Sequence, residues 1–179
     1  MSASKLIRPT IDYKDSFLEA LREFQAEGLM SHLDHETLRS DEAFKAFIEE
    51  LRKDHAHSHK PYPDWVEPVP ETVVWLIKDE DYIGTAEIRH RLNWHLEKWG
   101  GNMSFMLRPS WRGKGFGRKI FRKALTCAAS FGLERVLLTV NPENQAAQSV
   151  IEDAGGELED ITTETDRFPS RCRYWVELD

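Results

Sequence analysis

Features that would assign the chain to several common protein classes are missing. The two cysteines, Cys127 and Cys172, show neither a metal-site spacing nor a disulfide-framework spacing, and Cys127 falls at a core-like position of a predicted helix. No stretch approaches the roughly 20 apolar residues of a membrane-spanning helix, and the N-terminal residues contain no apolar run of signal-peptide length. We therefore expect reduced cysteines and a cytoplasmic protein with no membrane partner.

Positive charge is also in short supply. The 179 residues carry 24 Lys and Arg against 31 Asp and Glu, which gives a net charge of −7. Nucleic-acid binding is driven by clustered basic groups that replace counterions on phosphates, so this balance argues against nucleic acid as the main partner. With 40% apolar residues, the chain has the size and composition of one globular domain spanning residues 1–179.

Acidic residues are absent from one long segment of this acidic chain. Residues 98–133 include no Asp or Glu, and seven Lys and Arg fall within residues 108–123. Three of them, Lys114, Arg118 and Arg122, are spaced four apart and would line one side of a helix. Such a stripe is either a solvated helix face or a phosphate site, and the neighbouring glycines favour the second interpretation.

Hydrophobic periodicity predicts an alternation of strands and helices without internal repeats. Strands are predicted at residues 6–9, 72–78, 82–92, 103–108, 135–140, 157–163 and 172–178. Helices are predicted at residues 12–28, 40–54, 119–131 and 144–154, with Ser40 as the N-cap of the second. Between these elements, the proline-rich segment 55–70 is predicted to be an irregular connector.

The most informative motif is R-G-K-G-F-G at residues 112–117, between a predicted strand and a predicted helix. Glycines at 113, 115 and 117 remove side chains that would keep a ligand off the backbone, and the helix N-terminus offers unpaired N–H groups. The motif therefore predicts a cradle for an anion, although three glycines also suit a simple tight turn. A Walker A loop is excluded because no Lys followed by a hydroxyl residue stands in register, and a dinucleotide-binding fingerprint because the turn does not open the first helix after the first strand.

These residues resemble a known family. Arg112-x-x-Gly115-x-Gly117 is similar to the [QR]-x-x-G-x-[GA] signature of the GNAT superfamily of acetyl-CoA-dependent N-acetyltransferases. V-N-P-E-N-Q-A-A at residues 140–147 resembles the second motif of that family, with Asn144 and Ala147 opening a helix beside the cofactor. I-R-H-R-L-N at 88–93 and L-R-P-S-W-R-G-K-G at 107–115 further resemble a bacterial subgroup of predicted acetyltransferases.

The resemblance implies a fold for the whole chain. GNAT proteins combine helices and strands in an α/β fold of the α+β class. Their mixed, mostly antiparallel twisted sheet has about six to seven strands and is flanked by about four helices. The predicted order of elements fits that fold from residue 6 to residue 178. Family members often pair through their C-terminal strands or a sheet edge, so a homodimer is an expectation by analogy.

The resemblance also implies acetyl-CoA as the co-substrate and assigns residues to it. The N–H groups of the glycine turn would bind the pyrophosphate, and Lys114, Arg118 or Arg122 would reach the 3′-phosphate. The strand before the turn would pair with the pantetheine arm, and one of its N–H groups would polarise the thioester carbonyl. The predicted cofactor-binding residues are Phe105, Met106, Leu107, Arg112, Gly113, Lys114, Gly115, Phe116, Gly117, Arg118, Asn144 and Ala147.

The implied reaction is direct attack of a primary amine on the thioester, the amine belonging to a small molecule, a peptide or a protein. A base must deprotonate the ammonium, and His90 and Glu87 are the candidates on the strand beside the cofactor strand. Strand alternation puts them on opposite faces. His90 is preferred because its ordinary pKa lies near 6.5, whereas Glu87 suits an ion pair with Arg89 or Arg91. Asn102 is a third candidate, for positioning a water molecule.

One residue departs from the family pattern. Many relatives carry a tyrosine seven residues after the motif Asn, as the acid that protonates the departing thiolate, and this chain has Ile151 there. The departure keeps a second interpretation open, in which the chain binds acyl-CoA as a sensor or interaction module with little turnover.

Two further groups of residues suggest ligands. His55, His57 and His59 alternate as a metal site might, but without a cysteine partner a connector that closes over the substrate is preferred, and no metal is expected. Trp65, Trp94 and Trp99 lie in or next to predicted loops and either complete the core or wall a substrate site.

Overall fold

The computed structural model of the chain describes residues 2–54 and 65–179. His55, His57 and His59 lie outside these ranges, as does much of the predicted connector 55–70. In the two described ranges, no group of three or more His, Cys, Asp or Glu is arranged to hold a metal ion. Every helix in those ranges is too short or too polar to span a bilayer.

The described residues form seven strands and five α-helices. The strands are β1 (Lys5–Ile7), β2 (Glu71–Lys78), β3 (Asp81–Arg89), β4 (Met103–Leu107), β5 (Arg135–Val140), β6 (Glu157–Ile161) and β7 (Cys172–Glu177). The helices are α1 (Lys14–Ala26), α2 (His35–Leu38), α3 (Asp41–Leu51), α4 (Phe116–Ser130) and α5 (Gln145–Asp153). The α+β class and the antiparallel pairing expected from the sequence are confirmed.

The strands are divided between two sheets. The first has the order β1-β2-β3-β4 and the second the order β5-β7-β6, and neighbours within each are antiparallel. The two sheets meet where the residue before β4, Asn102, bonds to Leu137 of β5. Beyond that joint β4 and β5 diverge, so the predicted single sheet is split by a gap between its central strands.

Helices cover both faces of the first sheet. On one face, α1 and α3 pack on β2 through aromatic residues, with Phe17 stacked on Trp75 at 5.0 Å between ring centroids. On the other face, α4 and α5 form a core that continues from the first sheet onto the second. Because α4 contacts both sheets, it holds them together behind the gap.

Element ends differ from the predictions where distant contacts decide them. Strand β3 stops at Arg89 rather than at residue 92, because its two partner strands extend no farther: Arg89 pairs with Glu71, the first residue of β2, and Ile88 pairs with Met103, the first residue of β4. The segment that follows contains a π-helical turn at Leu96–Gly100, which periodicity did not predict. Asn93 starts that turn by accepting the N–H of Leu96 at 2.8 Å. The predicted N-cap Ser40 does cap α3, accepting the N–H of Ala43.

Candidate functional site

A cleft of about 1000 Å³ opens between β4 and β5. Residues from the end of α1, the π-helical turn, β4, the glycine turn, β5 and the start of α5 line it. Both strands run from the joint toward their carboxyl ends, so the cleft is narrow at the joint and wide at the turns that follow the strands. This is the part of an α/β-type sheet where ligands ordinarily bind.

Asn102 makes the joint at the closed end of the cleft. Its N–H donates to the carbonyl of Leu137 at 2.7 Å, and its Oδ1 accepts the N–H of Leu137 at 2.8 Å. Its Nδ2 donates to the carbonyl of Arg89 at 3.3 Å. The residue is 3% exposed. The amide that the sequence suggested for a water molecule is thus engaged with the backbones of β3 and β5.

The approach of the two backbones at the joint needs glycine. Gly101 has a φ of 67°, and a Cβ there would collide with the carbonyl oxygen of Leu137. Both the positive φ and the crowding therefore exclude a larger residue. The closed end of the cleft depends on this glycine as much as on Asn102.

Strand β4 turns half of its backbone polar groups toward the cleft. On the β3 side, the Arg108 N–H donates to the Ile83 carbonyl at 2.8 Å and the Asn102 carbonyl accepts the Arg89 N–H at 2.6 Å, so the even-numbered residues of this segment bond to β3. Alternation then aims the backbone groups of Phe105 and Leu107 at β5, which has moved away. The Leu107 carbonyl accepts Nε of Arg112 at 3.2 Å. The N–H groups of both residues and the carbonyl of Phe105 face the cleft as an unpaired strand edge.

The glycine turn lies at the wide end of the cleft. Gly113 and Gly115 have φ values of 74° and 84°, and a Cβ at either position would meet no heavy atom within 4 Å. The backbone conformation, rather than crowding, thus requires glycine, and the space above the turn is open. Gly115 caps α4 without a side-chain hydrogen bond, so the first N–H groups of the helix lack an intrahelical acceptor. This is the geometry of an anion site.

Side chains around the turn have separate surroundings. Arg112 is held by Glu27, at 2.9 Å and 3.0 Å to the two carboxylate oxygens. Phe116 is buried in the core, so its ring is not available to the cleft. Gly117 packs near Leu107 and Val150, each 3.6–3.7 Å from the position of a Cβ.

Helix α5 forms the opposite wall. Asn144 is its N-cap, and its Oδ1 accepts the N–H of Ala147 at 3.1 Å. Both residues line the cleft across from the glycine turn. Ile151, one turn farther along, is fully buried in the core between α5 and the second sheet. The family tyrosine position thus faces the core in this chain.

The basic stripe is partly neutralised by neighbours. Arg118 bonds Oδ2 of Asp153 through Nε at 2.8 Å and Nη2 at 2.5 Å, with both side chains about half exposed. Lys114 lies over the ring of Trp111, 5.3 Å from its centroid. Exposed ion pairs are weak, so Arg118 can exchange its partner for a phosphate at little cost.

Glu87 lies near the closed end of the cleft. Its Oε2 accepts Oγ–H of Ser104 at 3.3 Å and lies 3.4 Å from Nη2 of Arg89. Ser104 and Arg89 line the cleft, and the Glu87 side chain is 20% exposed. The sequence-predicted ion pair of Glu87 with Arg89 is present, whereas Arg91 pairs with Glu67.

Arg89 joins Glu87 to a second, deeper carboxylate. Its Nε lies 3.0 Å from Oε2 of Glu71, whose side chain has no exposed surface. Its Nη1 donates to the carbonyls of Gly100 and Gly101 at 3.3 Å and 3.1 Å. One guanidinium thus holds two carboxylates and the turn before β4, and the group of three side chains carries a formal charge of −1. A cationic amine entering the cleft would be attracted to Glu87.

His90 lies on the other face of the first sheet. Its ring stacks on Phe131, at the end of α4, with 4.2 Å between centroids, and its Nε2 is 2.8 Å from Oγ1 of Thr72. Burial lowers the pKa of His90 and outweighs the attraction of Asp54. The structure brings Glu87, Ser104 and β4, the strand predicted to bind the cofactor, together, and it places His90 apart from them.

The tryptophans singled out by the sequence gather beside the cleft. Trp99 lines it and stacks on Phe168, with ring centroids 4.0 Å apart. Trp65 and Trp94 pack beside each other at 5.5 Å and are each about half exposed. Trp99 is therefore the one of the three that contributes to the cleft wall, and the other two continue the aromatic surface outward.

Several residues of the site were missed by sequence reasoning. For Ser104, alternation along β4 would have given the face of its side chain, but its place opposite Glu87 depends on the register of β3 with β4. Glu71 and Arg171 carry no local signal, because their positions depend on strand pairing and on the connection between β6 and β7. Arg171 lines the cleft from that connection.

One comparison with known proteins identifies a family. A family model described as an acetyltransferase (GNAT) domain matches residues 8–157. A comparison with curated proteins finds no significant match.

Solved structures share the fold at low sequence identity. RimJ from Mycobacterium smegmatis, in complex with CoA-disulfide, gives a TM-score of 0.66 at 14% identity over 97% of this chain and 81% of that one. Aminoglycoside acetyltransferase AAC(6')-Ib, in complex with coenzyme A and kanamycin, gives 0.64 at 16% identity over 98% and 95%. A chimera of the spermidine N-acetyltransferase SpeG from Vibrio cholerae with hSSAT gives 0.61 at 17% identity over 98% and 96%.

Proposed function

This chain belongs to the GNAT acetyltransferase family, and we propose that it transfers an acetyl group from acetyl-CoA to a primary amine of a small molecule, peptide or protein. The observation that supports the proposal most is a single cleft with an anion-binding turn at its wide end and a carboxylate beside its closed end. Gly115 and the start of α4 form the first, and Glu87 with Ser104 forms the second.

The residues of the wide end fit coenzyme A. The open space above Gly113 and Gly115 and the unpaired N–H groups at the start of α4 suit its pyrophosphate. Lys114 and Arg118 are near enough to the turn to bind its 3′-phosphate. The free strand edge at Phe105 and Leu107 offers donors and an acceptor to the amides of the pantetheine arm.

Acetyl-CoA supplies an activated acetyl thioester, and β4 orients it. An N–H of Phe105 or Leu107 polarises the thioester carbonyl, since these are the β4 donors that face the cleft. Binding both reactants in one cleft replaces an encounter in solution with a fixed geometry.

Glu87 serves as the base, directly or through a water molecule bound at Ser104. It takes one proton of the ammonium, the neutral amine nitrogen forms a bond to the acetyl carbon, and the carbon–sulfur bond breaks with its electrons going to sulfur. The nitrogen is positively charged after the attack and loses its second proton to water, which leaves the amide. The sulfur then takes a proton from water, which is adequate because a free thiol has a pKa near 8.5. His90 is not given the base role here, because its ring is on the face that packs against α4.

Ile151 supports a second candidate function, an acyl-CoA-binding module with little turnover. The side chain is fully buried, so this position offers no acid to a departing thiolate. In that case the cleft would still bind acetyl-CoA through the glycine turn.

One pair of measurements separates the two functions. Release of free coenzyme A from acetyl-CoA is followed with a thiol-specific dye in the presence of a pooled amine panel, and acetyl-CoA binding is measured by calorimetry. Amine-dependent release establishes the enzyme. Binding without amine-dependent release would establish the module, and failure of both would refute the assignment of the cleft.

A further inference from the structure

Arg171 is held rigidly at the wall of the cleft. Its N–H donates to Oγ1 of Thr162 at 2.8 Å, and its carbonyl accepts the N–H of Thr162 at 2.8 Å. The residue directly precedes β7, where Cys172 pairs with Val140 of β5. The backbone of Arg171 is therefore fixed on both sides, while its half-buried side chain lines the cleft.

Arg171 differs from the other arginines that line the cleft. Arg89 pairs with Glu71 and Glu87, while Arg112 and Arg118 each hold a carboxylate at 2.9 Å or less. For Arg171, the described ranges provide no carboxylate within 4.0 Å of the guanidinium. An arginine offers five donors in a planar fork that matches a carboxylate or a phosphate. Among the residues that the structure describes, no carboxylate neutralises this fork, so the cleft wall is suited to an anion from a ligand.

A second polar group on the same wall also lacks a partner. The indole Nε1–H of Trp99 is buried and, within residues 2–54 and 65–179, has no hydrogen-bond acceptor. Trp99 stacks on Phe168, which lies three residues before Arg171. A buried donor without an acceptor is unfavourable, and an oxygen-bearing ligand would remove that cost. The Arg171 guanidinium and the Trp99 indole N–H are therefore two donors on this wall that a ligand with acceptor oxygens would satisfy.

Arg171 and Glu87 lie on the same side of the two sheets. Cys172 and Tyr174 face the core beneath α5, so the alternating positions, to which Arg171 belongs, face the other way. Ala86 and Ile88 face the same core, which puts Glu87 on the side of Arg171. Neither side chain is on the face covered by α4.

The distance between Glu87 and Arg171 along the cleft can be estimated by counting residues from the Asn102–Leu137 joint. A strand advances about 3.3 Å per residue, so Ser104 lies roughly 7 Å from Asn102 along β4. The register of β5 and β7 puts Arg171 level with Asn141, roughly 13 Å from Leu137. A ligand that reaches both would have its amine and its anion several bonds apart.

We propose that Arg171 binds an anionic group of the acceptor, so that the substrates are amines that also carry a carboxylate or phosphate several bonds from the nitrogen. The proposal rests on the acetyltransferase function proposed above. A phosphate of coenzyme A is the other anion that could reach a cleft arginine. In the function proposed above, the glycine turn, Lys114 and Arg118 bind that anion, whereas Arg171 reaches the cleft from the β7 side.

The kinetic test compares two amines that differ in one charge, 6-aminohexanoate and hexylamine. We expect the wild-type protein to prefer 6-aminohexanoate, and Arg171→Gln to lower its kcat/KM about 10- to 100-fold, mainly through KM, because a charge-assisted hydrogen bond is lost. The kcat/KM for hexylamine and the Kd for acetyl-CoA should not change. Arg167→Gln, an exposed arginine on the same connection, is the matched control and should leave all values unchanged.

The binding test works without turnover. The products 6-acetamidohexanoate and N-hexylacetamide are titrated calorimetrically into the protein saturated with coenzyme A, and Arg171→Gln should weaken the first about 10-fold or more. A weaker Kd for acetyl-CoA in Arg171→Gln would assign Arg171 to the co-substrate and overturn the proposal. The proposal would also be overturned if Arg171→Gln weakened the charged and the uncharged compound equally, or weakened neither, in the kinetic or the binding test. Absence of acetylation together with Arg171-dependent product binding would refute the enzyme and keep the anion site.

Discussion

Asn102 and Leu137 are joined by two hydrogen bonds, one from the Asn102 N–H at 2.7 Å and one to its side-chain Oδ1 at 2.8 Å. This contact ties the first sheet to the second at the point where β4 and β5 begin to separate. The side-chain oxygen of Asn102 takes the place that a backbone carbonyl would have in a continuous ladder. The pairing of β4 with β5 ends at this residue, and the gap between the two strands stays open. The cleft exists because the joint is a single residue long.

The joint predicts that Asn102→Ala is mainly a stability variant. Removing the carboxamide leaves the buried N–H of Leu137 without its acceptor, which should lower the free energy of unfolding by about 1–3 kcal/mol. Urea denaturation measures the change. The control Asn141→Ala removes only an exposed hydrogen bond from the Glu143 N–H, which water can replace, and should cost less than about 1 kcal/mol. Normal stability of Asn102→Ala with a large loss of kcat would instead support a water-positioning role.

The opposite faces of Glu87 and His90 allow the base to be identified. Glu87→Gln keeps the shape of the side chain but cannot take a proton, so kcat should fall about 100-fold or more while the Kd for acetyl-CoA is unchanged. His90→Asn, on the α4 side, should alter kcat by less than about 3-fold, since its partners are Thr72 and Phe131. Steady-state kinetics at saturating acetyl-CoA, paired with calorimetry, gives both values. The reverse result would assign the base role to His90.

Gly115 and Gly132 both have a positive φ, so comparing their alanine variants distinguishes a loss of ligand binding from the effect of backbone strain. Gly115→Ala forces a Cβ into the left-handed region, at a cost of about 1–2 kcal/mol, and into the open space above the turn. We expect acetyl-CoA affinity to fall about 10-fold or more, because the Cβ would project into the space proposed for the phosphate. Gly132→Ala, at the far end of α4 with a φ of 86° and equally open surroundings, should lose similar stability and no affinity. Equal affinity in both variants would exclude the turn as the phosphate site.

Glu23 of α1, which contacts the segment just before the glycine turn, makes the stability of the protein depend on pH. Burial alone would raise the pKa of Glu23, but hydrogen bonds from Ser110 and Arg108 outweigh it and lower the pKa below the usual value. Because the pKa is lower in the folded protein than in the unfolded one, the ionised carboxylate stabilises the fold. This stabilisation is fully present at a pH above the pKa of the unfolded state, and it is lost as the pH falls through the pKa of the folded state.

Glu23→Gln should therefore destabilise the protein at pH 7, by about 1–3 kcal/mol. The difference from the wild type should shrink when the pH falls below about 4, as measured by urea denaturation across this range. Glu49→Gln, on the exposed side of α3, is the control and should change stability little at either pH. A Glu23 effect that stays constant with pH would mean that its contribution is packing rather than charge.

Local patterns predicted the parts of the site that local geometry produces. The spacing of Gly113 and Gly115 predicted a turn, and both residues have the positive φ that only glycine adopts readily. Asn144 was placed at the start of a helix and does cap α5. These features depend on neighbours within four residues, which is the range over which sequence periodicity carries information.

The rest of the site depends on contacts that no local pattern reports. Asn102 meets Leu137 across 35 residues, and the divergence of β4 from β5 follows from that pairing. Alternation correctly put Glu87 and His90 on opposite faces, but it could not say which face α4 would cover. The choice of His90 followed from its ordinary pKa, whereas the packing of Phe131 decides where its ring lies.

The basic stripe gives the last prediction, for Arg118. Its pair with Asp153 is half exposed, so Arg118→Glu should cost less than about 1 kcal/mol of stability. A negative charge beside the bound phosphates should weaken acetyl-CoA about 10-fold or more, and the effect should diminish at high salt because exposed charges are screened. Asp153→Asn frees Arg118 from its carboxylate, so this variant should bind acetyl-CoA at least as tightly as the wild type. Calorimetry at low and high salt measures all three proteins, and an unchanged Kd in Arg118→Glu would make the stripe a solvated helix face.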